Sequence, residues 1–152
     1  MSDASDKLCF LVVDDQPLIT GALSMLLTSE NPDSEVFTAN SVDEARKLVH
    51  SHAPEADLLI LDLSMPGVVG TNLLEEFVRE EPSLKILVLS GVTDRESVMN
   101  TLSLGAAGFV PKTLDTDLLL TAIHFVLKGG VYLPSKIIEE SQRRGFFAEA
   151  GE

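Results

Sequence analysis

Leu58-Leu59-Ile60-Leu61-Asp62-Leu63-Ser64-Met65-Pro66 is the stretch that decides the fold. Four consecutive aliphatic residues without polar alternation describe a strand covered on both faces, as in a parallel sheet. The run ends on a carboxylate, and a carboxylate at the mouth of a buried strand is costly unless a charge compensates it. Two more, Asp14 and Asp15, close the run Leu11-Val12-Val13, and Lys112 follows Phe109-Val110-Pro111. If these strands lie parallel and side by side, all four groups meet at one edge of one sheet. That is a site for a divalent cation and a phosphoryl group.

Further out, apolar runs alternate with helical patterns along the chain. Strands are expected over 8–13, 35–39, 58–61, 86–89 and 108–110. The first helix starts at Pro17, suited to the first helical position, with an inward face of Ile19, Ala22, Leu23 and Leu26. The second opens on the capping sequence Ser41-Val42-Asp43-Glu44 and buries Ala45, Leu48 and Val49. The third carries Leu73, Leu74, Phe77 and Val78 and stops before Pro82. A fourth runs from near Asp94 to Gly105, and a fifth from Asp115 or Thr116 to Lys128-Gly129. Five β-α units joined by right-handed crossovers give an α/β sandwich whose ligands bind beyond the carboxyl ends of the strands. Gly130 to Pro134 reads as a loop, 135–144 as a short helix, and the remainder as a tail or linker.

The chain has 152 residues, 45% hydrophobic and 23% charged, which is the balance of one soluble globular domain. No apolar stretch is long enough to cross a bilayer, and the polar start Met1-Ser2-Asp3-Ala4-Ser5-Asp6 is not a signal peptide. The lone Cys9 has no intrachain disulfide partner, which fits a reducing cytoplasm. With 11 Lys+Arg against 24 Asp+Glu, the net charge of −13 repels nucleic acid and argues against direct contact with it. His50 and His52 are two apart on a helix and do not share a face, so they make no metal pair.

Mg²⁺ takes oxygen ligands, commonly one or two carboxylates with phosphate oxygens and waters. Asp15 and Asp62 suit direct ligation, and Asp14 suits a ligated water. A carboxylate is also a nucleophile able to form an acyl phosphate, and phosphoryl transfer needs chiefly positioning and charge stabilisation. Asp62, on the central strand, is the best placed. Lys112 can meet phosphoryl oxygens as a point charge and Ser90 as a hydroxyl donor, while Gly91 leaves room for the group.

Val13-Asp14-Asp15, Asp62-Leu63-Ser64-Met65-Pro66 with Gly70, Leu89-Ser90-Gly91 and Gly108-Phe109-Val110-Pro111-Lys112 together resemble the receiver domain of two-component response regulators, over roughly residues 8 to 130. The resemblance implies a flavodoxin-like (βα)5 sandwich with strand order 2-1-3-4-5. It implies that Asp62 accepts a phosphoryl group from a histidine kinase phosphohistidine. Asp14, Asp15, Asp62 and the backbone carbonyl of Ser64 would hold Mg²⁺ (or Mn²⁺). Ser90 and Phe109 match the family's switch pair, in which Ser90 moves toward the phosphate and Phe109 turns inward. The resemblance divides the chain into a disordered segment 1–7, a receiver 8–130 and a C-terminal extension or linker 131–152. Val110-Pro111-Lys112, with Gly129-Gly130-Val131-Tyr132-Leu133-Pro134, looks like the subclass that precedes a LuxR-type helix-turn-helix domain. Such a chain is a signalling switch, not an enzyme in its own right.

The fifth helix is apolar on more sides than one core-facing stripe needs. Either the Val131-Tyr132-Leu133 segment folds back onto it, or the fourth and fifth helices form a homodimer or kinase-docking surface. Two other readings use the same elements. An aspartate-nucleophile phosphatase of the haloacid dehalogenase type wants Asp-x-Asp after the first strand, where this chain has adjacent Asp14-Asp15. A flavodoxin-like electron carrier wants a hydroxyl- and glycine-rich phosphate loop where this chain has Asp15-Gln16-Pro17. A free-standing or phosphorylation-independent receiver uses the same motifs.

Overall fold

A computed structural model of the protein describes residues 7–91, 94–112 and 115–134. The described residues form one parallel five-stranded sheet: β1 (Cys9–Val13), β2 (Glu35–Ala39), β3 (Leu58–Asp62), β4 (Ile86–Ser90) and β5 (Gly108–Pro111), in the order β2-β1-β3-β4-β5. Between them run α1 (Pro17–Glu30), α2 (Val42–His52), α3 (Asn72–Glu80) and α4 (Arg95–Ser103), and α5 (Thr116–Leu127) follows β5. The expected order of strands is the observed one. The helix over 135–144, the tail beyond it and nearly all of the segment expected to be disordered lie outside the described residues.

Side chains alternate across a strand. Phe10, Val12, Leu58, Ile60, Leu87, Leu89 and Val110 face one layer and pack with Leu23 and Leu27 of α1 and Leu119, Ala122, Ile123 and Val126 of α5. Leu11, Val13, Leu59, Leu61, Ile86, Val88 and Phe109 face the other, against α2, α3 and Val98 of α4. All five residues of β1, β3 and β4 are buried, which is why those runs carry no polar alternation.

The helix starts follow local chemistry. Pro17 opens α1, Ser41 Oγ accepts from the Glu44 N–H, and Asp94 and Asp115 cap α4 and α5 by accepting from Ser97 N and Leu118 N. The face of α1 departs from expectation. Its buried residues are Thr20, Leu23 and Leu27; Ala22 is exposed, and Ile19 and Leu26 are half-buried. Thr20 takes an inward place because its hydroxyl is satisfied, donating to the Pro17 carbonyl at 3.2 Å and accepting from Asn40 Nδ2 at 3.1 Å.

The Gly130–Pro134 segment is more than a loop. Tyr132 pairs in parallel with Gly108, its N–H donating to the Ala107 carbonyl and its carbonyl accepting from the Phe109 N–H, each at 3.1 Å. Tyr132 also packs against the α1/α5 layer, so the fold-back accounts for part of the broad apolar surface of α5. The close approach depends on Gly108. A methyl there would stand 2.7 Å from Leu87 Cδ1 and 3.1 Å from Tyr132 Cβ. Gly108→Ala is expected to lower the unfolding free energy by about 1–3 kcal/mol, read from urea denaturation.

Candidate functional site

The same alternation that builds the core aims the site. Asp14 is two residues beyond Val12, Asp62 two beyond Ile60 and Lys112 two beyond Val110, all on the α1/α5 side and all at the carboxyl edge of the sheet. Three strands run one residue further than the sequence reading, β3 through Asp62, β4 through Ser90 and β5 through Pro111, while β1 starts one residue later, at Cys9. Asp62 is therefore held by the ladder itself, opposite Leu89.

Asp14 and Asp62 have no solvent-exposed surface. Lys112 Nζ lies between them, 2.9 Å from Asp14 Oδ2 and 3.0 Å from Asp62 Oδ2. The other oxygen of each takes a backbone donor, Gln16 N to Asp14 Oδ1 and Ser64 N to Asp62 Oδ1, both at 2.9 Å. Lys112 is itself placed by its N–H donating to the Ser90 carbonyl at 2.8 Å. Burial pushes the Asp14 carboxyl above its ordinary value; Lys112 and the Gln16 N–H oppose that push and the Asp62 charge adds to it. Burial lowers the Lys112 ammonium, but the two carboxylates outweigh it and its titration lies above the ordinary value.

Asp14, Asp15 and Asp62 offer oxygens that all lie within 4.8 Å of one another. Three carboxylates against one ammonium leave a formal excess of two negative charges. Asp14 Oδ2 has the ammonium as an ionic neighbour but, among the described residues, no hydrogen bond directed at it. A buried, under-satisfied carboxylate oxygen in an all-oxygen cluster fits a hard divalent cation such as Mg²⁺. The backbone carbonyl of Ser64 follows Asp62 in an exposed turn on the same edge.

Ser90 and Phe109 stand on the other side of the sheet. Both line a polar recess of about 350 Å³ together with Ser64, Thr71 and, from α4, Asn100 and Thr101. Phe109 is 1% exposed and packs in the α2/α3/α4 layer, so it occupies the inward position. Gly91 is exposed, and a Cβ on it would meet nothing within 4 Å, so crowding does not demand glycine there. Reasoning from sequence missed Asn40. It follows Ala39 at the end of β2, and its Nδ2 donates to the Asp14 carbonyl at 2.8 Å. The available signal was its place: an amide one residue past a strand that neighbours the one ending in Asp14.

Large exposed apolar side chains among the described residues are Leu18 and Met25 on α1, Val69, Phe125 on α5 and Val131. A cleft of about 360 Å³ runs between α1 and α5, walled by Ile19, Leu26, Val110 and Leu119, and reaches Lys112. No helix among the described residues is long and apolar enough to cross a membrane.

Residues 10–124 match the family model described as the response regulator receiver domain. The glycerol metabolism activator of Pseudomonas putida is 34% identical over 135 residues, 89% of this chain and 61% of its own length. The chain thus spans less than two thirds of that relative. A LuxR family DNA-binding response regulator from Silicibacter pomeroyi matches with a TM-score of 0.72 and 28% identity, over 86% of this chain and 98% of that one. The CheX-CheY-BeF3-Mg²⁺ complex from Borrelia burgdorferi matches with a TM-score of 0.73 and 27% identity, over 78% of this chain and 88% of that one.

With its folded-state proton affinity above the ordinary one, ionised Asp14 costs stability at neutral pH. That cost disappears only below the ordinary aspartate value of 3.8, because there both folded and unfolded states are protonated. In chelator, Asp14→Asn is expected to be more stable than the parent at pH 7, the advantage shrinking as pH falls toward 3.8. Urea midpoints over a pH series check it.

Proposed function

This chain belongs to the response regulator receiver domain family, and from that membership we propose that it is a phosphorylation-dependent switch in which Asp62 takes a phosphoryl group from the phosphohistidine of a histidine kinase. The observation that carries the reading is the Lys112 ammonium set between two fully buried carboxylates, one of them on the central strand. A purely structural pair would match one carboxylate with one ammonium; here the negative charge is in excess beside the mouth of the sheet.

Asp14, Asp15, Asp62 and the Ser64 carbonyl would hold the cation. Bound Mg²⁺ (or Mn²⁺) supplies charge neutralisation for the phosphoryl oxygens. An Asp62 carboxylate oxygen attacks phosphorus as the P–N bond to the donor imidazole breaks, and the electron pair of that bond returns to the imidazole, which takes up a proton. Lys112 contacts the phosphoryl oxygens from the α5 side and the Ser90 hydroxyl from the α4 side. Gly91, beside Ser90, lies in open space on the approach. The BeF3 and Mg²⁺ named for the Borrelia burgdorferi complex belong to that protein and accord with this chemistry.

Ser90 and Phe109 then act as the switch pair, passing the change at Asp62 to α4 and β5 and altering the association surface of α4 and α5, where a homodimer forms. The exposed Phe125 supports a role for α5. The output is transcription through a LuxR-type DNA-binding domain outside this chain, in the cytoplasm. The net charge of −13 supports leaving DNA contact to that other domain.

Intact-mass analysis after incubation with Mg²⁺ and acetyl phosphate tests the assignment. A labile adduct of one phosphoryl group is expected on the parent protein and none on Asp62→Asn; an equal adduct on both would sink it. Lys112→Ala is expected to take the adduct yet, in sedimentation velocity with beryllofluoride, to show a smaller change of mass than the parent. An unchanged mass in the parent, with unchanged kinase affinity, would remove the association step.

A further inference from the structure

Asp15 differs from its two companions in the carboxylate cluster. Asp14 and Asp62 each have a backbone donor and the Lys112 ammonium to fix them. Asp15 is half-buried, and among the described residues its carboxylate has no hydrogen-bond or ion-pair partner. Its oxygen nevertheless lies within 4.8 Å of both neighbours' oxygens. What aims it is the backbone, and the relevant piece is the Asp14–Asp15 peptide. A peptide is planar, so fixing the carbonyl of Asp14 fixes the direction in which the chain enters Asp15.

That carbonyl is held by Asn40. The side-chain Nδ2 donates to Asp14 O at 2.8 Å and to Thr20 Oγ1 at 3.1 Å. A carbonyl oxygen can only accept, which settles which end of the amide faces Asp14. Asn40 is anchored in turn: its N–H donates to Glu44 Oε1 at 2.7 Å, and the Asp14 N–H donates to the Ala39 carbonyl at 3.1 Å. Thr20, 3% exposed on α1, closes the arrangement from the other side. One residue thus ties the end of β1 and the first turn of α1 through its side-chain amide, and the start of α2 through its backbone N–H.

We propose that Asn40 is a positioning residue for the divalent-cation site, holding the Asp14–Asp15 peptide so that the Asp15 carboxylate faces Asp14 and Asp62. It rests on the cation-dependent reading of that cluster. Removing a group that orients a metal ligand typically costs about 10–100-fold in metal affinity. A role confined to stability would lower the unfolding free energy without a selective loss of cation binding.

The test compares Asn40→Ala, Asn40→Leu and Thr20→Val with the parent protein, using Mg²⁺ alone in titration calorimetry and urea denaturation in parallel. Thr20→Val removes the second partner of the amide but leaves the Asp14 carbonyl bonded. All three are expected to unfold at lower urea. Asn40→Ala should raise the Mg²⁺ dissociation constant about tenfold or more, with Thr20→Val like the parent. Asn40→Leu keeps a branched side chain without the donor and decides the matter if the alanine variant does not fold. Parent-like Mg²⁺ binding by the Asn40 variants overturns the inference and leaves the cation site standing. Equal loss in the Asn40 and Thr20 variants also overturns it, assigning the effect to general loosening. A parent protein that takes up no Mg²⁺ overturns the cation reading and this one together.

Discussion

Two carboxylates without exposed surface share one ammonium, and the rest of the molecule is arranged to make that arrangement tolerable. Each aspartate alone would pay a large desolvation penalty. Lys112 offsets part of it, and backbone donors at Gln16 and Ser64, each meeting the second oxygen of its carboxylate, offset more. The parallel sheet is what permits this. Its interior strands are apolar on both faces, so charge is admissible only where the ladder ends, and parallel strands end together. Burial of Leu58, Leu59, Ile60 and Leu61 on the central strand therefore determines where the chemistry sits.

Much of this was legible in the chain because the same constraint acts on sequence. A continuous apolar run followed by an aspartate states both that the strand is covered and where it stops; that reading located Asp14, Asp62, Ser90 and Lys112 at one edge. The inward face of α1 was less legible. Ile19, Ala22, Leu23 and Leu26 satisfy helical spacing, yet Ala22 is exposed and Thr20 is buried, because a hydroxyl with two partners competes on equal terms with an aliphatic side chain. Asn40 was illegible for a related reason. An amide after a strand reads as turn chemistry, and its contact with Asp14 spans 26 positions that no local period connects. The fold-back of Tyr132 was one of two readings the apolar fifth helix offered, but its bridge to Gly108 was not legible, since one isolated bridge carries no repeating pattern.

The sheet also separates the work of the site between its two faces. Asp14, Asp62 and Lys112 belong to the layer of α1 and α5, whereas Ser90 and Phe109 belong to the layer that includes α4. Neighbouring residues of a strand point opposite ways, so Phe109 and Val110 touch different layers although they are consecutive. A displacement of the β5 backbone is felt on both faces, but a change of side-chain rotamer on one face leaves the other packed. The exposed Leu18 and Met25 lie on α1, away from the recess beside α4.

Tyr132 runs parallel to β5, and its carbonyl takes the N–H of Phe109. A force drawn along the chain beyond Pro134 would load those two hydrogen bonds sideways and together, in shear, and would not peel them one after another. Shear shares the load between bonds, so the outgoing chain is gripped more firmly than two hydrogen bonds at a hairpin end would grip it. The anchor points of that grip are the backbones of Ala107 and Phe109, on either side of Gly108. Tension on the outgoing chain would thus be delivered to Ala107 and Phe109 together.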